Sequence, residues 1–233
     1  MKKVFLIFLF ASLLPAEAAF AEGYTPQTVP NPKDVTHNGW ISDPDGILTN
    51  EYKYMIDSVC WVLKRSVDVE MAVVAVMSLD EEKYDAFDFC QELFNYWGIG
   101  GQGNKGVLVF LSVETNDVRI HTGGGMEGLL PDAVCHQIIA DRKNALSSGK
   151  ELRIKGTEYQ SQGNDSTANE YYRNAYNRFG AGLAMICCSI ADVLLTDEAQ
   201  QELLLGWKPK PIDTSFSWWD WYFIAAFIVF ILL

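Results

Sequence analysis

Apolar residues follow two periodicities along this chain, one typical of strands and one typical of helices. Residues 70–79 and 106–111 are nearly unbroken apolar runs that contain many β-branched residues, as in strands covered on both faces. Residues 117–122 instead alternate strictly between apolar and polar side chains. The pattern therefore predicts two central strands followed by a third strand with one buried face.

The alternation in the third strand assigns its side chains to two faces. Val118 and Ile120 point to one face, whereas Arg119 and His121 point to the other. A polar turn over residues 113–116 precedes this strand. We therefore expect the second and third strands to form an antiparallel hairpin.

Four segments have apolar residues at spacings of three and four, which is the period of an amphipathic helix. Thr49 is a suitable N-cap for the first segment, and Pro131 suits the first turn of the third. The predicted helices cover residues 50–63, 83–97, 131–146 and 169–195. The predicted buried stripe of the second helix is Phe87, Cys90, Phe94 and Trp97.

The order of these elements predicts the fold class. A strand, a helix and a second strand in succession imply a right-handed crossover and a parallel strand pair. The hairpin then adds an antiparallel strand to that pair. We therefore predict an α/β fold, a three-layer α/β/α domain with a small mixed β-sheet.

The N-terminus has the composition of a secretory signal peptide. Residues 1–21 contain two lysines, an apolar run and small residues before a cleavage position. A cytosolic N-terminal helix is the alternative. Residues 22–39 contain three prolines and no apolar period, which predicts a tether between the cleavage site and the domain.

The C-terminal part predicts a membrane anchor. Residues 207–217 form a proline-containing linker, and residues 218–233 are an aromatic cluster followed by an apolar run. This order is typical of a transmembrane helix, although sixteen residues are fewer than the roughly 20 of a full span. A buried core helix is the alternative. The domain then covers residues 40–206, and residues 147–168 form a polar, exposed insertion within it.

Composition limits the classes of partner. The chain of 233 residues has a net charge of −12, which argues against a nucleic-acid surface and favours cations as small partners. The five cysteines form no C-x-x-C pair. We expect most of them to be small apolar core residues, and one disulfide remains an alternative.

Glycine-rich loops and polar residues are concentrated in residues 97–132, and we predict that this stretch forms the binding site. Residues 98–103 fit the pattern G-x-G-x-x-G. They follow a predicted helix and precede a strand, however, which is the reverse of the order in a dinucleotide site. No zinc motif and no G-x-S-x-G elbow is present.

An ordered set of motifs extends from the aspartate turn at residue 43 to the end of the glycine-rich stretch. The residues concerned are Ser42, Asp43, Trp97, Gly98, Gly100, Asn104, Lys105, Gly106, Arg119, Thr122, Gly123, Gly125, Glu127, Leu130 and Asp132. In this order they resemble the TPM domain family, which is named for a thylakoid lumen protein, a photosystem II accessory protein and a modulator of an acetylcholine receptor. The family is also common in bacterial envelopes. The resemblance covers roughly residues 40–195.

The resemblance implies a divalent-cation site, with Ca²⁺ as the expected ion. Asp43, Glu127 and Asp132 are the expected carboxylate ligands, because hard cations take six to eight oxygen ligands. The alternatives are that Asp43 merely shapes a turn, that Asp132 only complements a helix dipole and that Glu127 lies in solvent. The remaining residues of the expected binding loop are Trp97, Asn104, Lys105, Arg119, Gly123 and Gly125.

Two of these residues have plain alternative roles. Arg119 could hold a carboxylate or bind an anion such as phosphate, or be a surface cation on a half-wet strand. Trp97 is expected to pack in the core rather than to contact a ligand. Acid phosphatase activity is described for plant relatives, and a carboxylate–metal site beside Arg119 is compatible with that chemistry.

The sequence therefore predicts a membrane-anchored TPM module in the periplasm or an equivalent extracytoplasmic space. It would bind a divalent cation and assist the assembly, repair or modulation of a membrane protein or complex. A metal-dependent acid phosphatase using the same carboxylates is the first alternative. A structural interaction domain without a ligand is the second.

Overall fold

The apolar runs form the centre of a mixed four-stranded sheet. The computed structural model describes residues 23–35 and 39–195. The strands are β1 Ile41–Ser42, β2 Glu70–Val76, β3 Gly106–Ser112 and β4 Asp117–Thr122, and they lie side by side in that order. The helices are α1 Pro32–Val35, α2 Asn50–Val67, α3 Ala86–Trp97, α4 Asp132–Ser161 and α5 Asp165–Leu194.

The sheet separates two hydrophobic clusters. Strands β1, β2 and β3 are parallel, and β4 is antiparallel to β3 at one edge. Alternate residues of β2 and β3 pack on one side against α3, and the others pack against α2, α4 and α5. The predicted three-layer α/β/α fold is therefore confirmed. The predicted signal peptide, linker and C-terminal transmembrane helix lie outside the described residues.

Local signals set the ends of α3 but not the stripe predicted for it. The Asp85 carboxylate accepts hydrogen bonds from the backbone N–H groups of Phe87 and Asp88, at 2.8 Å each. Gly98 ends the helix in the left-handed region, at φ 61°. Phe87 was predicted to be buried, but it is 50% exposed. The α3 residues buried against the sheet are Ala86, Phe89, Cys90, Leu93, Phe94 and Trp97.

The segment before β1 is packed against the domain, which corrects the prediction of a tether. Tyr24 forms a parallel bridge with Leu79, and its N–H donates to the Ser78 carbonyl at 3.0 Å. Val29 is only 3% exposed and joins the cluster under α3. The described residues before β1 therefore belong to the folded domain.

The predicted polar insertion is a helical hairpin. Helix α4 was expected to end near Leu146, but it continues to Ser161, and α5 begins four residues later at Asp165. A Cβ atom on Gly149 would lie 2.8 Å from the Phe179 ring, and one on Gly156 would lie 2.7 Å from the Tyr172 ring. Glycine therefore allows the two helices to approach closely although most of their surface is polar.

Helix α5 closes the domain, as its apolar spacing predicted. An 18-residue window of this helix has a mean hydropathy of 1.3, so by length and composition the helix could cross a membrane. However, 56% of that window is buried inside the domain. The buried residues of α5 contact α2, α4 and the sheet. The five cysteines are buried and free, in agreement with their prediction as core residues.

Candidate binding cleft along the edge strand

An open cleft of about 630 Å³ follows the outer edge of β4. Residues 118–122 all line it, so side chains from both faces of the strand reach it. Phe87 and Cys90 of α3 form one wall. The other wall comes from the loop after β4 and the start of α4, and its residues are Glu127, Leu130, Pro131, Asp132, Cys135, His136 and Ile139.

Arg119 gives the α3 wall a positive charge. Its guanidinium carbon lies 5.9 Å from the centre of the Phe87 ring, which is within the range of a cation–π contact. Its Nε atom is buried, and no described residue accepts a hydrogen bond from it. The arginine is therefore held in place by packing, while donors remain that an incoming acceptor could use.

His121 lies next to Arg119 on the same face. Its ring meets the Phe94 ring edge to face, with 5.0 Å between centroids. Burial lowers the pKa of His121, and the negative charge of Asp132 opposes this shift. Burial is the larger effect, so the imidazole is neutral at pH 7.

The cysteines of the cleft are not activated nucleophiles. Burial raises the pKa of Cys135 to about 11, and the negative charge of Asp132 acts in the same direction. Burial also raises the pKa of Cys90, although Arg119 opposes the shift. Both thiols are therefore protonated at neutral pH, whereas nucleophilic attack requires the thiolate.

The glycine loop after β4 packs against the glycine-rich loop that precedes β3. A Cβ atom on Gly123 would lie 2.3 Å from the Asn104 carbonyl oxygen, and one on Gly125 would lie 2.3 Å from the Gly103 oxygen. The Gly125 N–H also donates to the Asn104 carbonyl at 3.1 Å. These glycines are needed for close approach between two loops, and this contact positions the loop that carries Glu127.

Residues 41–152 match the sequence model of the TPM domain. The chain carries a TPM domain. The match begins at β1 and ends within α4, so α5 and the outer part of the hairpin lie beyond it.

One solved structure supports the fold of the TPM domain and its surroundings. It is the solution NMR structure of the N-terminal domain of a protein from P. gingivalis. The two are 26% identical with a TM-score of 0.53, over 74% of this chain and 92% of that one. No curated protein matches the sequence.

Asp43 of the TPM domain is a structural residue, which corrects its prediction as a cation ligand. Its carboxylate accepts hydrogen bonds from the N–H groups of Ile47 at 2.8 Å and Leu48 at 3.0 Å. The same carboxylate pairs with Lys53 at 2.7 Å, and its side chain is 1% exposed. These partners fix the turn that leads from β1 into α2.

The sheet also separates Asp43 from the other two predicted ligands. Asp43 follows β1 at one edge, whereas the loop to Asp132 follows β4 at the other edge and the opposite end. Three strand spacings and four residues along a strand put Asp43 and Thr122 on the order of 20 Å apart. Helix α4 begins at Asp132 and runs towards the opposite end of the sheet, where Arg153 pairs with Glu114, two residues after β3.

The predicted binding-loop residues are likewise divided. Arg119 lines the cleft, while Gly123 and Gly125 support the loop beside it. Trp97 is buried under α3 and does not line the cleft, so the expectation that it packs is confirmed. Asn104 and Lys105 lie in the loop before β3, which packs against the glycine loop. The Lys105 carbonyl accepts a hydrogen bond from the Glu70 N–H.

Two of the predicted carboxylates remain as candidates for cation ligands. Glu127 and Asp132 are both exposed, and both line the cleft. Within residues 23–35 and 39–195, no three His, Cys, Asp or Glu side chains are grouped so as to hold a metal ion. The donor set therefore fits a weakly held, partly hydrated hard cation and does not form a closed cage.

Sequence reasoning missed several residues of the cleft. His121 and His136 were noted only as lacking a zinc spacing, although both line the cleft. The strict alternation of β4 was a usable signal for His121, because it placed the imidazole on the same face as Arg119. The exposure of Phe87 had no comparable signal, since aromatic residues at helical spacing are usually core.

A first expectation concerns the structural role of Asp43. Asp43→Ala should lower the free energy of unfolding by about 2–4 kcal/mol, because two backbone donors and the Lys53 ammonium lose their acceptor. Asp43→Asn keeps an acceptor oxygen and should cost less. Urea titration of the full chain in mild detergent measures both. A change below about 0.5 kcal/mol for Asp43→Ala would contradict this role.

A second expectation concerns pH. The unfolded chain binds a proton at His121 at a higher pH than the folded chain does, because burial lowers the folded pKa below its ordinary value of 6.5. Stability should therefore be complete above about pH 6.5 and should fall as the pH drops below it.

Melting temperatures at pH 7.5 and 5.5 measure this effect for wild type and for His121→Gln. The variant should lose less stability across the interval than wild type. Equal slopes for wild type and His121→Gln would show that His121 does not contribute.

Proposed function

We propose that this TPM domain is a membrane-anchored, extracytoplasmic module that binds a divalent cation and assists the assembly, repair or modulation of a membrane protein. The cation would be Ca²⁺ or a similar hard ion, held by Glu127 and Asp132. One observation carries the proposal. These carboxylates lie on a cleft that also contains Arg119 and the edge of β4, so one site could receive both an ion and a polypeptide.

The cation proposal follows from the charge and exposure of the two carboxylates. Glu127 lies in the loop held against Asn104, and Asp132 lies in the first turn of α4. A hard cation bound there would complete its shell with backbone carbonyls and water. Because two carboxylates are few for such a site, we expect an affinity in the range of about 10⁻⁴–10⁻³ M, as in extracellular calcium modules.

The membrane proposal joins sequence and geometry. Residues 1–21 resemble a signal peptide and residues 218–233 a membrane anchor. Helices α4 and α5 are antiparallel neighbours, with the Arg142 guanidinium donating to the Ser189 hydroxyl at 3.3 Å. The end of α5 at Leu194 therefore lies on the same side as the start of α4. An anchor that follows α5 would bring the Asp132 end of the cleft towards the membrane.

Calcium titration of the full chain in mild detergent tests the cation proposal. If the dissociation constant is about 1 mM, 10 mM Ca²⁺ should add about 1.4 kcal/mol and raise the melting temperature by roughly 3–6 °C. Glu127→Gln or Asp132→Asn should abolish the rise, because each removes a charged ligand.

Three controls make this titration specific. Glu170→Gln removes an exposed carboxylate of α5 away from the cleft and should respond like wild type, and NaCl at equal ionic strength should give no rise. Asp43→Asn should also keep the response. No calorimetric signal up to 10 mM Ca²⁺ would refute cation binding.

Arg119 favours a metal-dependent phosphatase as a second candidate. Its buried Nε has no acceptor among the described residues, and a phosphate ester could accept bidentate hydrogen bonds from the guanidinium. Glu127 and Asp132 on the same cleft would then hold the cation beside the phosphate.

Hydrolysis of p-nitrophenyl phosphate at pH 5–6 with Ca²⁺ or Mg²⁺ tests this candidate. Arg119→Gln should reduce the rate at least about 100-fold if the guanidinium stabilises transition-state charge, and Arg119→Lys should keep part of it. Asp132→Asn should also abolish turnover. Activity that survives Arg119→Gln unchanged would come from a contaminant, and the phosphatase candidate would be rejected.

A further inference from the structure

Among the described residues, no strand pairs with the outer edge of β4, which lies at the bottom of the cleft. The Gly123 N–H donates to the Gly106 carbonyl, and these two residues are directly opposite each other in the antiparallel register. Hydrogen-bonded pairs alternate with non-bonded pairs in such a ladder. Residues 119 and 121 therefore bond to β3, and the N–H and C=O groups of residues 118, 120 and 122 point away from the sheet.

This edge is open but recessed. Long open edges are usually covered, charged or interrupted, because they would otherwise pair with other chains. Here α3 and α4 rise on the two faces of the sheet beside β4, and the cleft lies between them. A segment that pairs with this edge would lie between these two walls.

The two walls differ in chemistry. On the α3 side an added strand would meet Phe87 and the Arg119 guanidinium, whose Nε lacks an acceptor among the described residues. On the α4 side it would meet the apolar residues Val118, Ile120, Leu130, Cys135 and Ile139. The polar residues Glu127, Asp132 and His136 line the same side of the cleft.

We propose that the cleft binds an extended segment of a partner protein as a fifth strand beside β4. Successive side chains of a strand point to opposite faces, so the segment would alternate apolar residues towards α4 with polar residues towards α3. An acidic residue opposite Arg119 supplies an opposite charge and an acceptor for the guanidinium. This mode of binding is β-augmentation, in which main-chain hydrogen bonds give affinity and alternate side chains give specificity.

The dimensions agree with a short segment. The outward-pointing groups extend over residues 118–122, which is about 14 Å of strand. A segment of about five residues would pair with all of them. The inference rests on the proposed function in one respect, that the cleft receives a partner polypeptide, and it does not require the cation.

A synthetic peptide probes the cleft directly. The probe is a seven-residue acetylated and amidated peptide with Val at odd positions and Asp at even positions, and the control peptide carries Asn in place of Asp. The full chain in mild detergent is titrated with each peptide in the presence of a chelator, so that the result is independent of cation binding. Amide NMR spectra and hydrogen exchange are the readouts.

We expect the Asp peptide to bind several-fold more tightly than the Asn peptide. On binding, hydrogen exchange at the amides of Val118, Ile120 and Thr122 should slow by up to about tenfold. Exchange at Arg119 and His121 should change little, because their amides already bond to β3. Binding without this alternating protection, or no binding at millimolar peptide, would overturn the proposal.

Two variants separate the backbone and side-chain contributions. Val118→Pro replaces the valine side chain and removes one outward N–H. Val118→Ala also shortens the side chain but keeps the N–H donor, so the proline variant should bind about fivefold more weakly than the alanine variant. Arg119→Gln should lower the affinity for the Asp peptide to that for the Asn peptide and leave the latter unchanged. An Arg119→Gln effect equal for both peptides would overturn the role given to the guanidinium, even if Val118→Pro fails to fold.

The other occupants of the cleft would be visible in the same samples. If the amides of residues 118, 120 and 122 are already protected in the free monomer, another segment of this chain pairs with β4. If they become protected only as the chain dimerises at higher concentration, a second copy is the occupant. Either result would overturn the proposal of a partner peptide.

Discussion

The antiparallel pairing of β4 with β3 determines where the candidate functional residues of this domain lie. Because β4 runs opposite to the three parallel strands, the chain leaves it at the end of the sheet where those strands begin. The glycine loop, Glu127 and the start of α4 are therefore all at that end. Asp43 follows a parallel strand and is at the other end, where its carboxylate bonds to Lys53 and to two backbone donors.

The position of β4 at the edge of the sheet also explains why a cleft exists. The central strands are covered on both faces and supply most of the two hydrophobic clusters, so they leave no room for a ligand. Strand β4 is only half-buried along its length, and α3 and α4 pass on either side of it. Polar and charged groups can therefore remain in the cleft without a large desolvation penalty, and the N–H and C=O groups of the edge stay available.

The strands could be predicted from the sequence because burial produces their patterns. The apolar runs gave the central strands, and the alternation in residues 117–122 gave the half-buried strand with Arg119 and His121 on one face. The cation site could not be predicted in the same way, because convergence of distant carboxylates depends on topology. Strand β1, which places Asp43 at the end of the sheet opposite to Asp132, was not among the predicted strands. The plain alternative for Asp43, a residue that shapes a turn, is the one the structure supports.

The helical hairpin shows a different limit of sequence reasoning. Polar composition in residues 147–168 was taken to mean an exposed insertion, yet most of these residues are helical. Glycines at 149 and 156, seven residues apart, face Phe179 and Tyr172 across the hairpin. A narrow seam of small and aromatic residues is enough to pair two helices here, and it leaves no broad apolar stripe to detect.

Amide hydrogen exchange of β4 in the free chain tests most directly whether its edge is available to a partner. The account requires fast exchange at Val118, Ile120 and Thr122 and slow exchange at Arg119 and His121, because only the latter two N–H groups bond to β3. Equal protection of all five amides in the monomer would contradict it, since the edge would then already be paired.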